Sequence, residues 1–379
     1  MAKLTTGVRL LRSLTRSGKV QRRTVSKLVS QMFAVPKPKR KTKTKPKLQP
    51  LAKSPVLAQA TRAPSLAQSR VLPAPGKWLA AYYTPAQAGA MSGRRMNYWL
   101  YLPDHVADDA QPDGMPLVVM LHGCQQSATQ FAQGTRMNLH AERRGWAVLY
   151  PQQLASAHAQ RCWKWYDKAT QEGGGDVAAI VGMIEKVATQ YPIDRSRIYI
   201  AGISAGAGMA DIVALNHPEL IAAVGLHSGP VFGAGHSTVG ALGVMQHGAA
   251  ARADHAIEEM LQRRLAFPPM PAILIQGQGD KVVRPVNQLQ LMRQRLMLNR
   301  LPLNMDSRPS SRSAGRNRNA HHTLDYFVGR KLMLRAVRIE QLEHAWSGGD
   351  AALAFHDRAD PDASKAMLDF FARHRRVIG

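Results

Sequence analysis

The chain has 379 residues, 45% of them apolar, which suffices for a large buried core. Its net charge is +26, but eighteen Lys and Arg fall in residues 1–75, which hold no Asp or Glu, leaving +8 on residues 76–379. Two cysteines exclude a disulfide-stapled scaffold and a Cys-based four-ligand zinc site, and the lack of any run of eighteen apolar residues excludes a transmembrane helix.

Residues 1–33 place Leu10, Leu11, Leu14, Val25, Leu28, Val29 and Phe33 at roughly helical spacing among basic residues. That is the pattern of a cationic amphipathic segment, and it lacks the continuous apolar stretch of a secretory signal. Residues 36–50 alternate Pro, Lys and Thr, residues 51–75 are rich in Ala, Pro and Ser, and neither stretch can bury a core. Residues 1–75 are therefore expected to form a disordered basic tail. Binding to nucleic acid, to an anionic membrane or to a hydrophobic granule surface are its candidate roles. No aromatic residue interrupts the lysine run, so base stacking is not expected.

From residue 76 the pattern changes. Residues 98–102 read as a strand closed by Pro103-Asp104. Residues 115–121 are a near-continuous apolar run, as expected of a strand buried on both faces. Residues 146–150 form another, ended by Pro151, and residues 176–190 have helical spacing. Residues 198–200 are a short strand, residues 207–215 a helix, and residues 222–226, 272–275 and 334–339 further strands; residues 363–374 close the chain as a helix. Strands alternating with helices imply an α/β domain over residues 76–379: a mostly parallel sheet with helices on both faces. Ligands of such sheets sit at the carboxyl ends of the strands.

Between the strand at 198–200 and the helix at 207–215 stands Gly202-Ile-Ser204-Ala-Gly206, a G-x-S-x-G pattern. In that context it predicts a nucleophile elbow, with glycines where a Cβ would collide with passing backbone. A serine hydroxyl needs a base, and the base needs an orienting acid. In this fold the chain order is Ser, then Asp or Glu, then His. Asp280 follows an apolar strand and a glycine-rich turn; Asp211, Asp254 and Asp306 do not. His344 follows the last strand and precedes the last helix, with His356 its nearest rival. The oxyanion hole needs the amide of Ala205 and a second amide from the loop after an earlier strand, where Leu121-His-Gly-Cys124 offers Cys124. Cys162 lies near the same edge, so a Cys124–Cys162 disulfide and two free thiols both remain open; the first implies an oxidising compartment. Trp163, Trp165 and Trp346 come close to that edge, as apolar walls for an aliphatic acyl group or as core.

His122-Gly-Cys124-Gln-Gln, Tyr150-Pro-Gln, Cys162-Trp-Lys-Trp165, Tyr191-Pro-Ile-Asp-Arg195, Gly202-Ile-Ser-Ala-Gly206, His344-Ala-Trp-Ser-Gly-Gly349 and Asp360-Pro-Asp-Ala-Ser364 together resemble the polyhydroxyalkanoate (PHB) depolymerase family of esterases, over roughly residues 95–375. The resemblance implies an α/β-hydrolase that cleaves short-chain hydroxyalkanoate polyesters or oligomers. It gives Ser204, Asp280 and His344 the triad roles and Cys124 the oxyanion position, with no metal or cofactor. It also implies an extracellular setting and a polymer-binding module. The basic tail and the ending of the chain after the catalytic domain depart from that, and the lack of a clear signal peptide favours a cytoplasmic or granule-associated protein. Relatives of the family act on feruloyl and acetyl-xylan esters, which is the first alternative. A basic binding protein on an inactive hydrolase scaffold is the second.

Overall fold

The structure, a computed structural model, describes residues 74–85, 95–104 and 114–377; the expected disordered tail, residues 1–75, lies outside them except for its last two residues. Among the described residues, ten strands form one sheet: β1 (Lys77–Tyr83), β2 (Met96–Leu102), β3 (Met115–Leu121), β4 (Ala147–Pro151), β5 (Ile193–Ile203), β6 (Ala223–His227), β7 (Ala272–Gly277), β8 (Arg308–Arg312), β9 (His321–Val328) and β10 (Lys331–Ile339). Their order is β1-β2-β4-β3-β5-β6-β7-β10-β9-β8. The six central strands from β4 to β10 run parallel, and antiparallel pairs flank them on both sides.

The apolar runs have a simple cause. In β3, Leu117, Val119 and Leu121 enter one core while Val118 and Met120 enter the other. Strand side chains alternate between faces, so a strand covered on both sides must be apolar throughout. The helices Asp176–Gln190, Ala205–Asn216 and Val286–Leu298 cover the first face, and Ala128–Thr135, Met137–Glu142 and Ala363–Phe371 cover the second. On that second face Tyr199 lies between Trp146 and Phe371, stacked on both at centroid distances of 5.4 and 4.8 Å. No helix among the described residues is long and apolar enough to cross a membrane.

Two differences from the sequence reading have physical reasons. The strand expected at 198–200 runs on to Ile203, because Gly202 and Ile203 pair with Leu226 and His227 of β6. A glycine depresses strand propensity, so the ladder that keeps it there is visible only in three dimensions. The hairpin β8–β9 escaped notice because β8, Arg-Pro-Ser-Ser-Arg, is exposed along its whole length and shows no apolar alternation.

One polar contact crosses the first core. Asp211, on the helix after Ser204, forms an ion pair with Arg295; their side chains are 1% and 2% exposed. Burial pulls the guanidinium down to about 10. Removing one partner leaves the other charged and unpaired in the core. Asp211→Ala should therefore cost about 3–5 kcal/mol of stability in urea unfolding, and adding Arg295→Met should recover much of that loss.

Candidate active site

Ser204 stands between the last residue of β5 and the first of the helix Ala205–Asn216, with φ 56° and ψ −125°. That left-handed backbone is strained for a residue with a side chain, and its amide is anchored on His227 O at 3.0 Å. The glycines two positions away on either side are explained by contact. A Cβ on Gly206 would lie 2.1 Å from Leu121 O, and one on Gly202 would lie 2.5 Å from the Gly206 carbonyl carbon. The chain crosses itself at the end of β3, and only hydrogen fits there. Gly208 has a similar role one turn on, where a Cβ would meet the Trp165 Cβ at 2.9 Å.

Asp280 follows β7 and is 3% exposed. Its Oδ1 accepts the amides of Val282 and Val283 at 2.8 and 2.9 Å. Its Oδ2 accepts Nδ1–H of His344 at 2.8 Å and Nε2–H of Gln276 at 3.2 Å. Burial pushes its carboxyl up, but His344 and the two amides outweigh that and hold it below the usual carboxylate range. His344 comes from the loop after β10 and shares with Ser204 a cavity walled by Gly123, Cys124, Gln126, Ile203 and Phe355. No hydrogen bond joins Ser204 Oγ to His344; in substrate-free enzymes such contacts are often long and tighten in the complex.

The Cys124 loop is braced from three directions. Cys124 and Cys162 are joined as a disulfide in place of two free thiols, tying the loops after β3 and β4. Gly123 N donates to Gln126 Oε1 at 2.8 Å and Gln125 N to Gln160 O at 2.7 Å. His122, fully buried, donates from Nδ1 to Gly123 O at 2.8 Å and accepts Gln153 N at Nε2 at 3.2 Å.

The tryptophans need correcting. Trp163, Trp165 and Trp346 are 0%, 3% and 0% exposed, and none lines the cavity. Trp163 donates to His122 O at 3.0 Å, and Trp346 donates to Ser364 Oγ at 3.1 Å and stacks on His227. Large rings with a single N–H partner fill core, and here they secure the loops that carry Cys124 and His344. The rival His356 donates Nδ1–H to Ala354 O, packs against Gly134 and stays out of the cavity. Asp211 and Asp254 are engaged by Arg295 and Arg293.

Sequence reasoning missed His227. It ends β6, and its ring is fully buried. Nε2 accepts Ser347 N at 3.3 Å, Nδ1 meets Ser228 Oγ at 3.1 Å, and its carbonyl accepts the Ser204 amide. It thus bridges the serine turn and the histidine loop. A polar residue closing an apolar strand at the carboxyl rim was the available signal.

His122 and His227 have a measurable consequence. Burial pulls His122 down to about 4, and burial together with His344 pulls His227 down to about 3. The unfolded chain takes up protons at histidine near pH 6.5, whereas the folded one refuses them until these lower values. Unfolded protein therefore binds more protons across that window, and stability falls as pH falls. Each histidine should cost about 1.4 kcal/mol per pH unit below roughly 6.5, so the urea midpoint should drop steadily from pH 7 to pH 4.5. A flat midpoint would mean that neither ring is buried neutral.

A serine on a strand–turn–helix elbow, with an aspartate–histidine pair at the same rim of a mostly parallel sheet, defines an α/β-hydrolase. The acetyl xylan esterase from Aspergillus awamori shares this fold, with a TM-score of 0.58 and 18% identity over 73% of this chain and 94% of that one. Residues 96–322 match the model of the family described as "Esterase PHB depolymerase", and the chain belongs to that family. It is 33% identical over 137 residues to feruloyl esterase B of Thermothelomyces thermophilus, covering 36% of this chain and 44% of the relative. It is 30% identical over 202 residues to poly(3-hydroxyalkanoate) depolymerase C of Paucimonas lemoignei, covering 48% and 45%. The chain spans less than half the length of these curated relatives.

Proposed function

We propose that this chain is a serine esterase that hydrolyses short-chain hydroxyalkanoate polyesters or oligomers. The observation that carries the reading is the Asp280–His344 hydrogen bond beside a cavity that also holds Ser204. With its Nδ1 proton on Asp280, the imidazole has Nε2 free to take a proton. Ser204 Oγ attacks the ester carbonyl carbon as His344 Nε2 accepts its proton. The amides of Cys124 and Ala205 receive the oxyanion. The tetrahedral intermediate collapses, the alcohol leaves with the proton from His344, and an acyl-serine remains. Water then attacks it with His344 as base, and the acid departs.

Relatives named for feruloyl and acetylxylan esters support the alternative of a plant-polymer esterase. A fluorophosphonate probe should label Ser204 if the mechanism is right, and absence of label would sink it. Rates on hydroxybutyrate trimers, methyl ferulate and acetylated xylan, measured side by side, would rank the substrates. The tail's eighteen uncompensated charges suit an anionic surface. Deleting residues 1–75 should abolish retention on anionic vesicles and leave small-ester hydrolysis unchanged.

A further inference from the structure

The cavity between Ser204 and His344 measures about 10 Å³, space for roughly one water. That is too small to hold an acyl chain, so the residues lining it bear on what enters. Most of the walls are pinned. Cys124 is held by its disulfide, Gly123 by the Gln126 side chain, Ile203 by the β5–β6 ladder, and His344 by Asp280.

Phe355 differs. It is a half-buried aromatic ring in a loop, beyond the last strand, and its backbone sits in the left-handed region with φ 65°. A bulky residue in that region is strained, and strain of this kind persists where the surroundings enforce it. The enforcement is visible. Trp346 N donates to Phe355 O at 2.9 Å, and Asp357 N donates to Trp346 O at 2.8 Å. Trp346 lies two residues after His344 and is fully buried against His227. The backbone of Phe355 is thus fixed to the loop that carries His344, and the residue lines the cavity that holds Ser204.

We infer, resting on the esterase reading, that Phe355 is the specificity-determining residue: its ring closes the acyl pocket and restricts the enzyme to esters of short acyl chains. A side chain in an apolar pocket discriminates by about tenfold or more for each methylene admitted or refused. The test compares kcat/KM on p-nitrophenyl acetate, butyrate and octanoate for the full chain, Phe355→Gly and Phe355→Trp. Glycine suits φ 65° and so opens the pocket without new strain.

The wild type should prefer acetate and butyrate. The octanoate-to-acetate ratio should rise at least tenfold in Phe355→Gly and fall in Phe355→Trp. Fluorophosphonate labelling of each protein separates the possible failures. Equal labelling with the same chain-length profile in Phe355→Gly as in wild type overturns the role of Phe355 alone. A wild type that neither labels nor hydrolyses any of the three esters overturns the esterase reading beneath it.

Discussion

Ser204→Ala is expected to lower kcat on p-nitrophenyl butyrate by at least about a thousandfold while leaving the fold intact. In the proposed mechanism the hydroxyl is the attacking group, and nothing else in the cavity replaces it. The fold should survive because Ser204 is anchored by its backbone, through the hydrogen bond from its amide to His227 O, and its hydroxyl makes no hydrogen bond among the described residues. The urea midpoint should stay close to that of the wild type. Any residual hydrolysis would come from the oxyanion amides and from binding. Turnover within tenfold of wild type would remove Ser204 from the mechanism.

Asp280→Asn should cost about ten-thousandfold in kcat, for a different reason. The two oxygens of Asp280 accept four hydrogen bonds, from Val282 N, Val283 N, Gln276 Nε2 and His344 Nδ1. An asparagine has one oxygen to offer. If it stays on the two amides, its NH₂ confronts two donors, and His344 must move its proton to Nε2. An imidazole in that tautomer cannot take the proton of Ser204. The mismatch also leaves buried donors unpaired, so a stability loss of about 1–3 kcal/mol should accompany the loss of rate. Fluorophosphonate labelling should slow in parallel with turnover. Unchanged labelling would show that Asp280 does not set the tautomer.

The elbow and the central strands were legible because their chemistry is local. Gly202 and Gly206 flank the serine where the structure leaves no room for a Cβ. The apolar runs in β3 and β5 follow from burial on both faces of the sheet. The edge strands were not legible. β8 is exposed throughout, and in β1 intermediate positions alternate with exposed ones, so neither has a buried face to mark it. The tryptophans misled for a related reason. Position in the chain placed them near the carboxyl rim, but a ring there can face inward or outward, and packing turned all three inward.

By itself, the sequence determined the class of fold, the serine turn with its glycines, and the order in which acid and base follow along the chain. Each of these is written in spacing and residue type over a few positions. Only the tertiary structure decided that Asp280 meets His344, that Cys124 joins Cys162, that His227 bridges two loops, and that Phe355 lines one cavity with Ser204. These groupings join residues from 23 (Ser204 and His227) to 151 (Ser204 and Phe355) positions apart. Strand order and loop packing bring such residues together, and neither leaves a local mark on the sequence.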